Sequence, residues 1–165
     1  MKKLTKIIAL VLALVCICTA FAACGGNKDN KDKEKTPAVK VINYDLTSEQ
    51  YAFGVDKDQP ELLTKVNEIL KEMKSDGTFD AICNNNFGSG TPQAVKSAVL
   101  DKSKDQLIVA TNAEFEPFEY MKGENYYGVD MEMAAYIAKK LGKELVIKNM
   151  NFDAVCLSVG QHKCD

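Results

Sequence analysis

Apolar residues at Leu62, Leu63, Val66, Ile69, Leu70 and Met73 recur every three or four positions, with Lys65, Glu68, Lys71, Glu72 and Lys74 between them. That spacing predicts an amphipathic helix whose charged side is a solvent face carrying helical ion pairs. Asp58-Gln59-Pro60 marks its start, because a missing N–H costs little in the first turn, and Asp76-Gly77 marks its end. Thr78–Cys83 predicts a second short turn of helix packed through Phe79 and Ile82, and Asn84–Gly90 is turn-rich. Ahead of the first helix, Tyr51–Val55 mixes aromatic, β-branched and small residues and predicts a short strand.

Residues 91–105 form a connector with Pro92 and mixed charge. Leu107–Ala110 is a continuous apolar run, suited to a strand covered on both faces. Phe118–Met121 and Tyr126–Val129, separated by Lys122-Gly123-Glu124-Asn125, predict a loose hairpin. Asp130 stands where a helix N-cap belongs, and Met131–Leu141 follows as a helix closed by Gly142. Its apolar stripe is Met131, Ala134, Ala135, Ile137, Ala138 and Leu141. Glu144–Lys148 predicts a further strand, and Phe152–Val159 a short helix ended by Gly160. Strand, helix, strand, helix at this spacing implies an α/β layer with parallel strands.

The first residues have a different character. Lys2, Lys3 and Lys6 precede an apolar run from Ile7 through Val15, and small residues lead to Cys24. Residues 1–23 thus have the make-up of a secretory signal peptide; an uncleaved membrane anchor over Ile7–Ala23 is the alternative, since that stretch approaches the ~18 residues of a spanning segment. Phe21-Ala22-Ala23-Cys24-Gly25-Gly26 resembles a bacterial lipobox, with Phe21 where Leu is usual. The resemblance implies a lipid on Cys24 and anchoring to the outer side of the bacterial cell membrane. Asn27–Lys35 is too polar to offset its ordering entropy and predicts a flexible tether, the lipidated cysteine and tether together spanning 24–40.

The 165 residues are 46% apolar and 27% charged, with a net charge of −2. No basic cluster marks the folded part, so nucleic-acid binding has no electrostatic support. Beyond the leader and Cys24 the cysteines are Cys83, Cys156 and Cys164, an odd number that allows at most one disulfide. Cys156 and Cys164 flank a predicted helix that would hold them about 12 Å apart at its rise per residue, too far to bridge. No CxxC or Cys/His spacing suggests a structural zinc site, and nothing calls for a cofactor. His162, the sole histidine, follows Gly160 and is expected at the solvated surface.

Ala110–Tyr120, Gly128-Val129-Asp130-Met131-Glu132, Leu141-Gly142 and Met150-Asn151-Phe152-Asp153 together resemble the opening third of family 3 extracellular solute-binding proteins, the amino-acid-binding subunits of ABC importers. Gln50–Phe87, with its Pro-Glu-Leu-Leu helix, Asp76-Gly77-Thr78 and Phe87, resembles the family's ending. The resemblance implies an α/β partial first lobe of a two-lobed, type II periplasmic-binding-protein-like fold. In that lobe 41–90 supplies the closing part, 91–105 a connector and 106–165 the opening part. The order is reversed relative to the family. A circular permutation explains it, since a connector of this length can extend to ~50 Å; a tandem gene whose first copy has lost all but its ending is the other account.

By resemblance, Phe115 stacks on the ligand side chain, Asn112 reads its distal group and Phe152 forms a second apolar wall, in a mainly apolar pocket with few polar groups. Core packing is the competing role for Phe115, and Phe118 and Tyr120 are expected in the core. Many relatives carry Asp where Asn112 stands; a neutral amide favours a polar or neutral amino acid. The family's carboxylate-binding Arg and its second lobe would fall after Asp165, and this sequence contains no Arg. The expectation is therefore an incomplete chain of a lipid-anchored binding subunit, partnered by a free amino acid, an importer permease and the membrane. A non-binding remnant or a partner-dependent lobe is the alternative. An enzyme of the dehydratase type on the same architecture would need an acid/base pair, for which Glu116 and Glu119 are the only candidates and no second motif gives support.

Overall fold

The computed structural model describes Val39 and residues 42–165, in two units divided between Glu49 and Gln50. The signal-peptide segment, Cys24 and all of the tether except Val39 lie outside the described residues. In the first unit the described residues are exposed and form no helix or strand.

In the second unit, Pro60 opens helix α1 (Pro60–Ser75), whose Val66, Ile69 and Met73 are buried. Asp76 caps α1, and Gly77 adopts φ 83°, so α2 (Thr78–Phe87) starts after a turn that a side chain would strain. The second helix runs to Phe87 instead of stopping at Cys83. Three asparagines, poor helix formers, lie in that extension, but Asn86 donates to the Ile82 carbonyl at 3.0 Å and both Asn85 and Asn86 reach Glu132. Tertiary hydrogen bonds here override local propensity.

Strand β1 (Gln106–Thr111) pairs in parallel with β5 (Glu144–Asn149), Gln106 opposite Glu144 through Thr111 opposite Asn149. The parallel layer is thus as predicted, with β1 one residue longer at each end and β5 one residue longer at its far end. Between them lies an antiparallel sheet in the order β2 (Glu114–Phe115), β3 (Glu119–Lys122), β4 (Asn125–Tyr127). Its β3–β4 hairpin is tighter than expected: Lys122 faces Asn125 across Gly123-Glu124, with Gly123 at φ 64°.

Helix α3 (Val129–Leu141) is capped by Gly128, not by Asp130, which lies inside the first turn. Gly128 takes φ 115°, and a Cβ there would lie 2.1 Å from the Phe118 carbonyl oxygen. Only glycine permits this close approach of hairpin and helix. Gly142 at φ 71° closes α3, and α4 (Phe152–Gly160) begins where the Asn151 side chain accepts from Asp153 N–H.

Val66, Ile69, Met73 and Ile82 pack in one core with Met131, Ala134, Ile137, Ala138, Leu107, Leu145 and Ile147. Residues from 60–87 and 129–147 therefore share a single interior, each large side chain contributing about 1.5–3 kcal/mol by leaving water.

The connector is an ordered strap. Val95 exchanges backbone hydrogen bonds with Tyr126 at 2.8 and 2.9 Å, and Ala98 N–H donates to the Leu145 carbonyl at 2.8 Å. Ser97 Oγ accepts from Ile147 N–H at 2.8 Å. The buried Glu132 carboxylate then joins three segments, accepting from Asn85 Nδ2 at 3.0 Å, Asn86 Nδ2 at 2.9 Å and Gln93 N–H at 2.9 Å.

Tyr51–Val55 is not a strand. Just past it Asp56 N–H donates to the Asp165 carbonyl at 3.1 Å.

Candidate functional site

The C-terminal ends of β1 and β5 point the same way, the end of an open α/β layer where ligands bind. Three hydrogen bonds stitch these ends together: Met150 N–H to the Thr111 carbonyl at 2.9 Å, Ala113 N–H to Asn149 Oδ1 at 3.0 Å, and Asn112 Nδ2 to the Met150 carbonyl at 3.1 Å. Asn112 is therefore fixed by its amide N–H₂, and its Oδ1 receives no hydrogen bond from a described residue. Phe152, at the first turn of α4, is 74% exposed.

Asn112 and Phe152 line one cavity of about 560 Å³ that follows β1. Its other walls are residues 52–57, the inner face of α3 and α4 through Val155 and Val159, so it is mainly apolar. A second hollow of about 630 Å³, around Pro60, Lys65 and Lys143, contains neither residue.

Phe115 does not line the cavity. It is 53% exposed and stacks on Phe118 with ring centroids 5.2 Å apart. Tyr51 stacks on Phe118 at 4.7 Å and Phe87 meets it edge-on at 5.4 Å. Core packing does not account for Phe115, since about half of the residue remains exposed. Tyr120 is buried as expected, whereas Phe118 is the half-buried centre of this aromatic group.

The two glutamates of the hairpin go separate ways. Glu116 pairs at the surface with Lys122 at 3.5 Å. Glu119 turns to Asp130, and both line the cavity. Burial, reinforced by a hydrogen bond and repulsion from Asp130, pushes the Glu119 carboxyl up to about 8. Burial raises Asp130 as well. Two carboxyl groups this close and this buried resist carrying two charges at once, so the pair titrates as a unit, with both members shifted upwards. The sequence does not reveal this pair, because Asp130 has the chemistry and the place of a helix cap. The eleven-residue separation of Glu119 and Asp130 offers no local signal; only the hairpin fold brings them together.

Cys83, Cys156 and Cys164 are free thiols. Cys156 is exposed, while Cys164 is buried against Ser158 Oγ at 3.3 Å.

Residues 107–165 match the model of the bacterial extracellular solute-binding proteins, family 3. The chain is also similar to the arginine-binding extracellular protein ArtP of Bacillus subtilis (strain 168), with 35% identity over 65 residues, 39% of this chain and 26% of that protein. The probable ABC transporter arginine-binding protein ArtJ of Chlamydia trachomatis serovar D is 39% identical over 66 residues, again 39% of this chain and 26% of that protein. The chain thus spans about a quarter of the length of these curated relatives. Over residues 107–165 the resemblance to family 3, a family of binding proteins, is thus met.

Proposed function

We propose that this chain is part of an extracytoplasmic, lipid-anchored solute-binding subunit of a bacterial ABC importer for amino acids. The observation that carries the reading is a coincidence of place. In the stretch similar to family 3, Asn112 follows the end of β1 and Phe152 opens α4 just after β5, and both line one largely apolar cavity. Cys24 is the proposed lipidation site, and a permease the proposed partner. We also take the segment order as a circular permutation, a reading supported by the single core shared between 60–87 and 129–147.

Within the cavity Phe152 offers an apolar wall and Asn112 a polar contact, while Phe115, which lies outside it, is assigned to the ligand's side chain by the family resemblance alone. Because Asn112 Nδ2 is engaged with Met150, its Oδ1 presents an acceptor, which fits a side chain bearing N–H donors. A neutral amide side chain is the first choice. A guanidinium is the second, favoured by the names of the two relatives and by the Phe115–Phe118–Tyr51 stack, since aromatic faces attract cations.

The test is thermal unfolding of the full chain with each common amino acid in turn. A ligand at a hundredfold excess over its dissociation constant adds about 2.7 kcal/mol of stability. Glutamine or arginine should produce such a gain, and Phe115→Ala should remove most of it, measured against that variant's own unliganded midpoint. Cooperative unfolding with no response to any amino acid would refute direct binding by this chain and favour a lobe that works only with a partner.

A further inference from the structure

His162 lies past the end of α4 with carboxylates facing both of its ring nitrogens. Nδ1 pairs with Asp56 Oδ2, and Nε2 stands 3.8 Å from Asp58 Oδ2. Ligand atoms of all three side chains fall within 4.8 Å of one another. The two halves of the arrangement differ. The Asp56 side chain is 1% exposed, and its other oxygen accepts from Asp58 N–H at 2.9 Å, so it is a fixed acceptor. Asp58 and the imidazole are 65% and 62% exposed, open to solvent on the Nε2 side. His162 is held there by N–H donation to the Val159 carbonyl at 2.9 Å and adopts φ 56°, in the left-handed region uncommon for residues other than glycine.

A carboxylate accepting one imidazole N–H leaves the other nitrogen as a free lone pair, which is how metal-binding histidines are oriented. The 3.8 Å separation of Nε2 from Asp58 Oδ2 is too long for a hydrogen bond. Two ligand atoms each about 2.1 Å from one ion lie roughly 3–4.2 Å apart, so the gap matches a shared cation. We propose that His162 Nε2 and Asp58 Oδ2 seat a first-row divalent cation such as zinc, with Asp56 positioning the imidazole in the tautomer that leaves Nε2 free. One nitrogen and one carboxylate oxygen suit zinc, cobalt or nickel and not magnesium, which takes oxygen ligands. Water completes the coordination. The ion clips the extended segment before α1 to the end of α4.

Because His162 is the only histidine, its imidazole can be followed by itself in ¹H–¹⁵N spectra of the full chain during titration with zinc chloride. The free protein should show the Nδ1–H tautomer, and zinc should shift Nε2 with saturation. Asp58→Asn should weaken that response about tenfold, and Asp56→Asn should weaken it by a similar factor while changing the tautomer ratio without zinc. Reading the imidazole, not total zinc uptake, separates this site from capture by any of the six cysteines. An imidazole that ignores zinc, or answers it equally in Asp58→Asn, overturns the proposal. So does magnesium acting as well as zinc.

Discussion

Glu132 offers the sharpest test of how the strap is held. Its side chain is buried, the residue being 8% exposed, and it accepts hydrogen bonds from α2 through Asn85 and Asn86 and from the connector through Gln93. Hydrogen bonds to a charged group contribute about 1.5–3 kcal/mol each, and a donor left buried without a partner costs about 1–3 kcal/mol. Three such bonds do not add, since they belong to one network and the Asn85 amide can turn towards water. Glu132→Ala should therefore cost about 3 kcal/mol in all. Glu132→Gln keeps an acceptor for Asn86 and Gln93 but sets an N–H₂ against the Asn85 amide, and should cost about 1–2 kcal/mol. Urea unfolding of the full chain, followed by far-ultraviolet circular dichroism, gives both differences. If Glu132→Ala stays within about 1 kcal/mol of the parent, the clamp contributes nothing and the argument fails.

Other perturbations read separate features. Gly128→Ala drives a methyl group to 2.1 Å from the Phe118 carbonyl oxygen at a left-handed φ, and should lower stability by about 3 kcal/mol or more in the same urea assay. A loss under about 1 kcal/mol would show that hairpin and helix separate easily. Glu119 is raised from an ordinary 4.5 to about 8 by burial and by Asp130, so between these values the folded chain holds a proton that the unfolded chain releases. Stability contributed by the protonated group is complete below about 4.5 and is lost as pH rises through about 8. Glu119→Gln should flatten that decline and exceed the parent in stability at alkaline pH; a parent whose urea midpoint does not move over the window contradicts it. Met73→Ala, which empties a fully buried site, should cost about 2–5 kcal/mol by thermal or urea unfolding.

The parts of the fold legible in the sequence are those whose cause is local. Helix α1 follows from its apolar spacing and from Pro60 and Asp76-Gly77 at its ends. Strands β1 and β5 follow from unbroken apolar runs, and α3 from its stripe and Gly142. What could not be read depends on distant partners. The last turn of α2 rests on Glu132, 46 residues from Asn86. The two-residue β2 is too short for any alternation to show. Asp130 has the chemistry of a cap, but the cap is a glycine selected by a carbonyl ten residues earlier in the hairpin. At the candidate site, Asn112 and Phe152 do meet on one wall, while the half-exposed position of Phe115 follows from rings at 51, 87 and 118 that no spacing rule relates. His162 is exposed as expected, yet its two carboxylate neighbours lie more than a hundred positions earlier.

The core joining 60–87 to 129–147 also sets the order in which the chain can fold. As α1 and α2 form, their apolar faces have nothing to cover them until α3 is made, so they form a waiting pair with exposed Val66, Ile69 and Met73. Closing so long a loop is slow when the intervening chain is free. Docking the strap first, Val95 on Tyr126 and Ala98 on Leu145, divides that closure into shorter steps. Substitutions along residues 93–98 should therefore slow refolding more than they speed unfolding, marking the strap as a nucleus for the second unit.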